Sequence, residues 1–216
     1  MNVAPHESTA SMELTELISD LEPGRKGEIL GAAASVFVDR GYEAGSMRDI
    51  ATRVGVSEPA LYRHFPGKEA IFVALMRLVS GRMRAESLAL IDSIRPEGLR
   101  EQLVAAFAGR RRVIAAYAPV VRAIVSAATH NPRFLAEYRQ LMIEPVAARV
   151  IIKAAELDEA FAVPDAEVTR PGRVRALMAL FVGFFVSSLV LADEPEEAIA
   201  DAVLRIMRWD GTPLQP

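Results

Sequence analysis

Apolar residues recur along this chain at intervals of three and four, and almost nowhere in the two-residue alternation of a strand. No hairpin dipeptide sits between alternating runs, so the pattern predicts an all-α protein. Leu14, Leu17, Ile18 and Leu21 mark a short helix that Pro23-Gly24 stops, either packed on its own domain or a neighbour or left disordered. Helices follow at about 25–40, 46–54 and 57–63, then a long one at 68–93 whose inward stripe is Phe72, Leu75, Val79, Met83, Leu90 and Ile94. Arg95-Pro96-Glu97-Gly98 ends it, a further helix spans 97–117, and Pro119 opens another to 129. Asn131-Pro132 starts the next, in which Pro145 kinks or divides a pattern reaching Glu156. A loop is expected at 157–170, then helices at 171–192 and 195–209 with Pro171 and Pro195 in their first turns.

The stretch SMRDIATRVGVSEPALYRHFPGK, Ser46 to Lys68, carries the most information. Ser46 and Asp49 form a capping box, and Met47, Ile50, Ala51 and Val54 share one face. Gly55 supplies a residue for a left-handed turn, and Ser57 is placed to cap a second helix that tolerates Pro59 in its first turn. Leu61 and Phe65, four apart, must face inward. Ser57, Glu58, Pro59, Ala60, Tyr62, Arg63 and His64 are thereby left on outer or flanking surfaces, as in a helix-turn-helix that reads DNA.

Charge changes the picture only when divided along the chain. The net charge of -3 looks unsuited to a DNA-binding protein. Residues 1–24 hold five acids and no Lys or Arg, residues 25–68 hold seven bases and five acids, and the remainder holds eighteen of each. The middle block, with Arg25, Lys26, Arg48, Arg53, Arg63 and Lys68, can neutralise phosphates behind an acidic leader. Absence of cysteine excludes disulfides, thiolate metal sites and a Cys nucleophile, and the N-terminus lacks a signal-peptide pattern; a reducing cytoplasm fits.

The run Arg25 to Met76 resembles the N-terminal DNA-binding domain of TetR-type transcriptional repressors. The likeness rests on Phe37 in a first helix ending at Gly41-Tyr42, on Asp49-Ile50-Ala51, on Gly55-Val56-Ser57, and on Leu61-Tyr62-Arg63-His64-Phe65 followed by Lys68-Glu69. It implies an N-terminal extension (1–24), a three-helix DNA-binding domain (25–70) and a helical ligand-binding and dimerisation domain (71–216). It further implies that Arg48, Ser57, Tyr62, His64 and Lys68 contact phosphate, and that Glu58, Pro59, Ala60 and Arg63 lie nearest the base edges, with Arg48 able to serve either role.

From Ala176 to Ala192 there are 17 consecutive uncharged residues. At 1.5 Å per residue they span about 25 Å, short for roughly 30 Å of hydrocarbon, so a helix buried between its own core and a partner subunit is the better reading, with no membrane. The resemblance agrees: it implies a homodimer through the two C-terminal helices. On the 97–117 helix, Arg110 falls in an apolar stripe with Leu99, Leu103, Phe107, Ile114 and Tyr117. That arginine is either an internal ion pair or snorkelling side chain, or a counter-charge in a cavity for an acidic or thioester-like ligand. Such a cavity would draw its lining from Phe107, Tyr117, Val121, Ile124, Phe134, Tyr138, Met142, Phe181 and Phe185, most of which individually read equally as plain core.

No catalytic or metal constellation emerges: His6, His64 and His130 are far apart, and no nucleophile elbow, dinucleotide fingerprint or P-loop is present. No enzyme activity, cofactor or metal is expected. The chain reads as a cytoplasmic, ligand-responsive repressor whose dimer binds a near-palindromic double-stranded operator and is released by a small apolar or amphipathic effector. The alternative is a helical scaffold whose helix-turn-helix contacts protein.

Overall fold

Small residues decide how the chain begins to pack. The computed structural model describes residues 9–190 and 196–211, and among them every regular element is helical. The helices are α1 (Thr9–Leu21), α2 (Arg25–Ala44), α3 (Met47–Val54), α4 (Glu58–Tyr62), α5 (Lys68–Ser93), α6 (Leu99–His130), α7 (Pro132–Tyr138), α8 (Glu144–Ala160), α9 (Ala166–Val190) and α10 (Glu196–Met207). The all-α fold read from the apolar periodicity is therefore the fold observed. The chain forms two compact units: residues up to Arg82 with Tyr117–Leu141, and Met83–Ala116 with the described residues from Met142 onward.

In the first unit α1 lies against α2 through glycines. A Cβ at Gly27 would stand 1.6 Å from the Glu22 carbonyl oxygen, and one at Gly31 would stand 2.6 Å from that of Thr15. Thr15 Oγ1 and Ser35 Oγ share a hydrogen bond of 2.7 Å, and Ser19 Oγ donates to the Gly27 carbonyl. Leu14 and Ile18 are buried there, so α1 packs on its own domain. Gly31→Leu will cost about 1–3 kcal/mol in denaturant unfolding, because backbone cannot yield as a flexible side chain would. Gly109→Ala, where a Cβ meets nothing within 4 Å inside α6, is the control and will stabilise by about 0.5–1 kcal/mol.

Behind α2 the rings of Phe37, Tyr42, Phe72 and Phe134 form one array, with centroids 5.4 Å apart for Phe37 and Phe72, 4.6 Å for Tyr42 and Phe72, and 4.8 Å for Phe72 and Phe134. Ion pairs from Arg133 to Glu69 (3.0 Å) and from Arg77 to Glu137 (2.7 Å) flank the array and hold α7 on α5.

In the second unit the centre is Asp158, whose side chain is fully buried. Arg173 donates to both of its oxygens at 2.9 Å, Arg170 Nε to Oδ2 at 2.7 Å, and Trp209 Nε1 to Oδ1 at 3.0 Å. Arg173 also reaches the Met207 carbonyl at 2.6 Å, so one cluster joins α8, α9 and the turn after α10. Burial pushes the Asp158 carboxyl up, but the hydrogen bonds from Arg173, Arg170 and Trp209 outweigh it and hold the group below the ordinary carboxylate range.

Three helix boundaries depart from the sequence expectation. Pro119 lies inside α6 instead of opening a new helix, and Pro171 lies inside α9, which begins at Ala166. In both cases the freed i−4 carbonyl belongs to an exposed residue, Ala115 or Glu167, where water can take the place of the missing N–H. The expected 157–170 loop shrinks to five residues because α8 continues to Ala160; Ala162 and Asp165 take positive φ (48° and 50°) to make so tight a turn. Pro145 divides its pattern as expected, through a π-helical turn at Arg139–Ile143 that absorbs the missing hydrogen bond. Pro195 lies outside the described residues, as does the side chain of Phe185. No single helix among the described residues is long and apolar enough to cross a membrane.

Candidate nucleic-acid interface

Local chemistry builds α3 as the spacing requires. Asp49 N–H donates to Ser46 Oγ at 3.1 Å while Ser46 N–H donates to Asp49 Oδ2 at 3.0 Å, closing the capping box. Gly55 ends the helix at φ 75°, ψ 35°, the left-handed conformation that only a residue without Cβ takes without strain, and Val56 N–H returns to the Ala51 carbonyl at 3.0 Å. The side-chain hydrogen bond from Ser46, with Arg40 close by, holds the Asp49 carboxyl below its usual range against the opposing effect of burial. A carboxyl depressed by folding stabilises above its unfolded value, and the contribution is lost as pH falls through the folded value. Ser46→Ala will therefore cost about 1 kcal/mol at neutral pH, with the difference from the parent protein shrinking below about pH 4 in denaturant titrations.

The second helix is short, Glu58–Tyr62, with Pro59 in its first turn. Ser57 occupies the N-cap position in extended conformation, but its side chain makes no capping hydrogen bond, which corrects the capping role expected for it. The Ala60 and Leu61 N–H groups bond to the Ser57 backbone carbonyl, and Pro59 has no N–H to cap. Leu61 is fully buried and Phe65 nearly so, and these two pin α4 to the unit. Opposite them Arg48, Ser57, Pro59, Tyr62, Arg63 and His64 are exposed, while Glu58, Ala60 and Lys68 are half-buried. Tyr62 shows 49% of its surface, much for an aromatic side chain. Asp39 takes Arg53 at 2.9 Å, so this arginine buttresses α3 against α2.

Lys68 is placed differently from its neighbours. Its Nζ donates to the Tyr42 carbonyl at 2.8 Å and to the Glu43 carbonyl at 3.0 Å, and it stands 4.5 Å over the Tyr42 ring centroid. Burial, then the Glu69 and Glu43 carboxylates, push the Tyr42 phenol above its ordinary value. The sequence offered no signal for this clamp, since the acceptors are backbone carbonyls more than twenty residues away.

The residues proposed for an effector cavity are divided between the units. Tyr117, Val121, Ile124, Phe134 and Tyr138 belong to the first, the first four of them buried; Phe134 packs edge-on against Tyr42 at 5.0 Å. Phe107, Arg110, Met142 and Phe181 belong to the second, where Phe107 and Phe181 rings meet at 5.8 Å and Arg110 Nη1 donates to the Met83 carbonyl at 3.3 Å. The second unit also carries a polar cleft of about 320 Å³ between the end of α5 and α8, lined by Asp92, Arg95, Arg149, Lys153 and Glu156 with Ile94, Pro96 and Leu157; none of the expected cavity residues borders it.

This arrangement, a capped helix, a left-handed glycine turn and a short second helix with an outward basic and aromatic face, defines a helix-turn-helix domain in an all-α protein. Residues 29–75 match the family described as bacterial regulatory proteins, tetR family. The transcriptional activator FasR of Mycolicibacterium smegmatis is 48% identical over 66 residues, 28% of this chain and 30% of that relative. The transcriptional repressor KstR2 of Mycobacterium tuberculosis is 38% identical over 69 residues, 32% of this chain and 34% of its own length. The chain thus matches about a third of the curated relatives' length. Among solved structures, the Bacillus subtilis transcriptional regulator FadR in complex with stearoyl-CoA shares the fold at 16% identity, with a TM-score of 0.62 over 83% of this chain and 95% of that one.

Proposed function

We propose that this protein is a DNA-binding transcriptional regulator, a repressor that acts as a homodimer on a near-palindromic operator and is released by a small apolar or amphipathic effector. The observation that carries the reading is the outward face of α4 and the turn after it: Tyr62, Arg63 and His64 exposed beside Arg48, with Leu61 buried beneath them. Arg48, Ser57, Tyr62 and His64 are suited to phosphate, and Glu58, Pro59, Ala60 and Arg63 to base edges. Two such helices, one per subunit, would enter successive major grooves about 34–36 Å apart. Dimerisation through α9 and α10 is supported by the exposed apolar and small residues Ala176, Ala179, Val182 and Gly183 on α9, within a long uncharged stretch. An effector bound in the helical region beyond the helix-turn-helix would lower DNA affinity by a coupling of about 1–3 kcal/mol.

The test is binding to DNA fragments around the protein's own gene at several salt concentrations, with Tyr62→Ala and Arg63→Ala alongside. Tight binding that weakens steeply with salt and with either substitution supports the reading; salt-insensitive capture of a protein instead of DNA would assign the helix-turn-helix to a scaffold. Activation is a second reading, favoured by the FasR match, and transcription in vitro from the bound fragment with and without the protein separates the two signs.

A further inference from the structure

We propose that the polar cleft of the second unit binds a small organic carboxylate, and that the Glu156 side chain competes with this ligand for the same cations. The site stands apart from the residues expected to line an effector cavity, and it does not depend on the DNA-binding reading. Arg149, Lys153 and Glu156 recur at intervals of four and three along α8, so one face of the helix presents all three. That face meets the end of α5, where Asp92, Ile94 and Arg95 complete the cleft with Pro96 and Leu157. Arg95 Nη1 donates to the Asp92 and Ile94 carbonyls at 2.6 and 2.9 Å, which caps α5 and fixes the guanidinium in place. Arg149 Nε donates to Asp92, and its Nη1 stands 3.7 Å from Glu156. Lys153 Nζ donates to the Ile94 carbonyl at 3.3 Å and to Glu156 at 2.5 Å. Among the lining residues three cations therefore share two carboxylates, which leaves one positive charge in excess.

Burial sets this cluster apart from an ordinary surface network. The Lys153 side chain is 10% exposed, whereas that of Glu156 is 49% exposed. A lysine is almost never buried so far without a firm counter-charge, and a half-exposed carboxylate one turn along the same helix is a weak one. The hydrogen bond from Lys153 still holds the Glu156 carboxyl below its ordinary range against burial, and the charges of Lys153, Arg149 and Arg95 add to the effect. All three cations thus act on the point where that carboxylate lies, and another carboxylate brought there meets the same three. Glu156 can give way by rotating into solvent, with no movement of the backbone. Ile94, Pro96 and Leu157 line the cleft beside the cations, which favours an organic acid over a bare inorganic anion. Its volume of about 320 Å³ falls within the range of about 300–1,000 Å³ usual for ligand clefts.

Benzoate is the probe, titrated into the full-length protein and followed by heteronuclear NMR. It will bind saturably and shift the amide signals of Ile94, Arg95, Lys153 and Leu157. Benzamide, which has the shape without the charge, and sulfate, which has charge without the ring, will each bind at least about tenfold more weakly. Glu156→Gln will tighten benzoate binding about tenfold, because it removes the competing carboxylate; Lys153→Met, which keeps the apolar stem, will weaken it about tenfold. The Glu156 side chain is half exposed, so its substitution leaves the packing intact and decides the matter even where Lys153→Met fails to fold. A network of purely structural ion pairs gives the opposite sign, with benzoate affinity in Glu156→Gln unchanged or lower. That result overturns the proposal, as does the lack of a saturable shift with benzoate, or benzamide or sulfate binding as tightly as benzoate.

Discussion

Asp158→Ala will destabilise the protein by about 3–5 kcal/mol, because it strips two guanidinium groups and an indole N–H of their common acceptor and leaves the Arg173 charge buried without a counter-ion. Denaturant unfolding followed by far-UV circular dichroism measures the loss. Replacing both members of the central pair, Asp158→Leu with Arg173→Met, will recover much of it, since the penalty belongs to the uncompensated charge and not to the absence of the bridge. Acid separates the single variant from the parent in a second way. The Asp158 carboxyl titrates below its ordinary value in the folded protein, so its stabilisation is present above about pH 4 and is lost as pH falls through the folded value. The stability of Asp158→Ala will lack that part of the acid dependence. A loss under 1 kcal/mol at neutral pH would show that water repairs the cluster.

Phe134→Ala will cost about 3–5 kcal/mol with no effector present. The side chain is 1% exposed and touches both Phe72 and Tyr42, so its removal opens a ring-sized void in the array behind α2. Phe134 was a candidate for an effector cavity on sequence grounds. A side chain that lines an open cavity could be truncated with little cost, whereas one that fills a core cannot. Equal midpoints for Phe134→Ala and the parent protein in denaturant would favour the cavity.

What the sequence reveals is what depends on near neighbours. The capping box at Ser46 and Asp49, the left-handed Gly55 and the buried pair Leu61 and Phe65 are all set within a span of twenty residues, and the observed geometry follows them. Helix existence follows as well, because the 3.6-residue period is itself local. Prolines mislead for an identifiable reason. A proline announces a lost hydrogen bond, but whether the helix ends there depends on what surrounds the freed carbonyl, and Ala115 and Glu167 are both exposed residues. Long-range polar chemistry leaves no trace in spacing. Asp158 meets Arg173 across 15 residues and Trp209 across 51, and Lys68 finds backbone oxygens whose position no side-chain pattern encodes. Arg110 shows the middle case: its place on an apolar face is visible in the sequence, its Met83 carbonyl partner is not.

The division of the chain into two units also partitions its chromophores. The single tryptophan, Trp209, is buried in the second unit, and all four tyrosines, Tyr42, Tyr62, Tyr117 and Tyr138, fall in the first. Each half of the molecule therefore carries its own optical label. Excitation at long wavelength follows the indole alone, and the tyrosine band follows the first unit, so one unlabelled sample can report whether the halves melt together or in succession. Coincident transitions would mean a single cooperative unit, and separated ones would give each half its own midpoint.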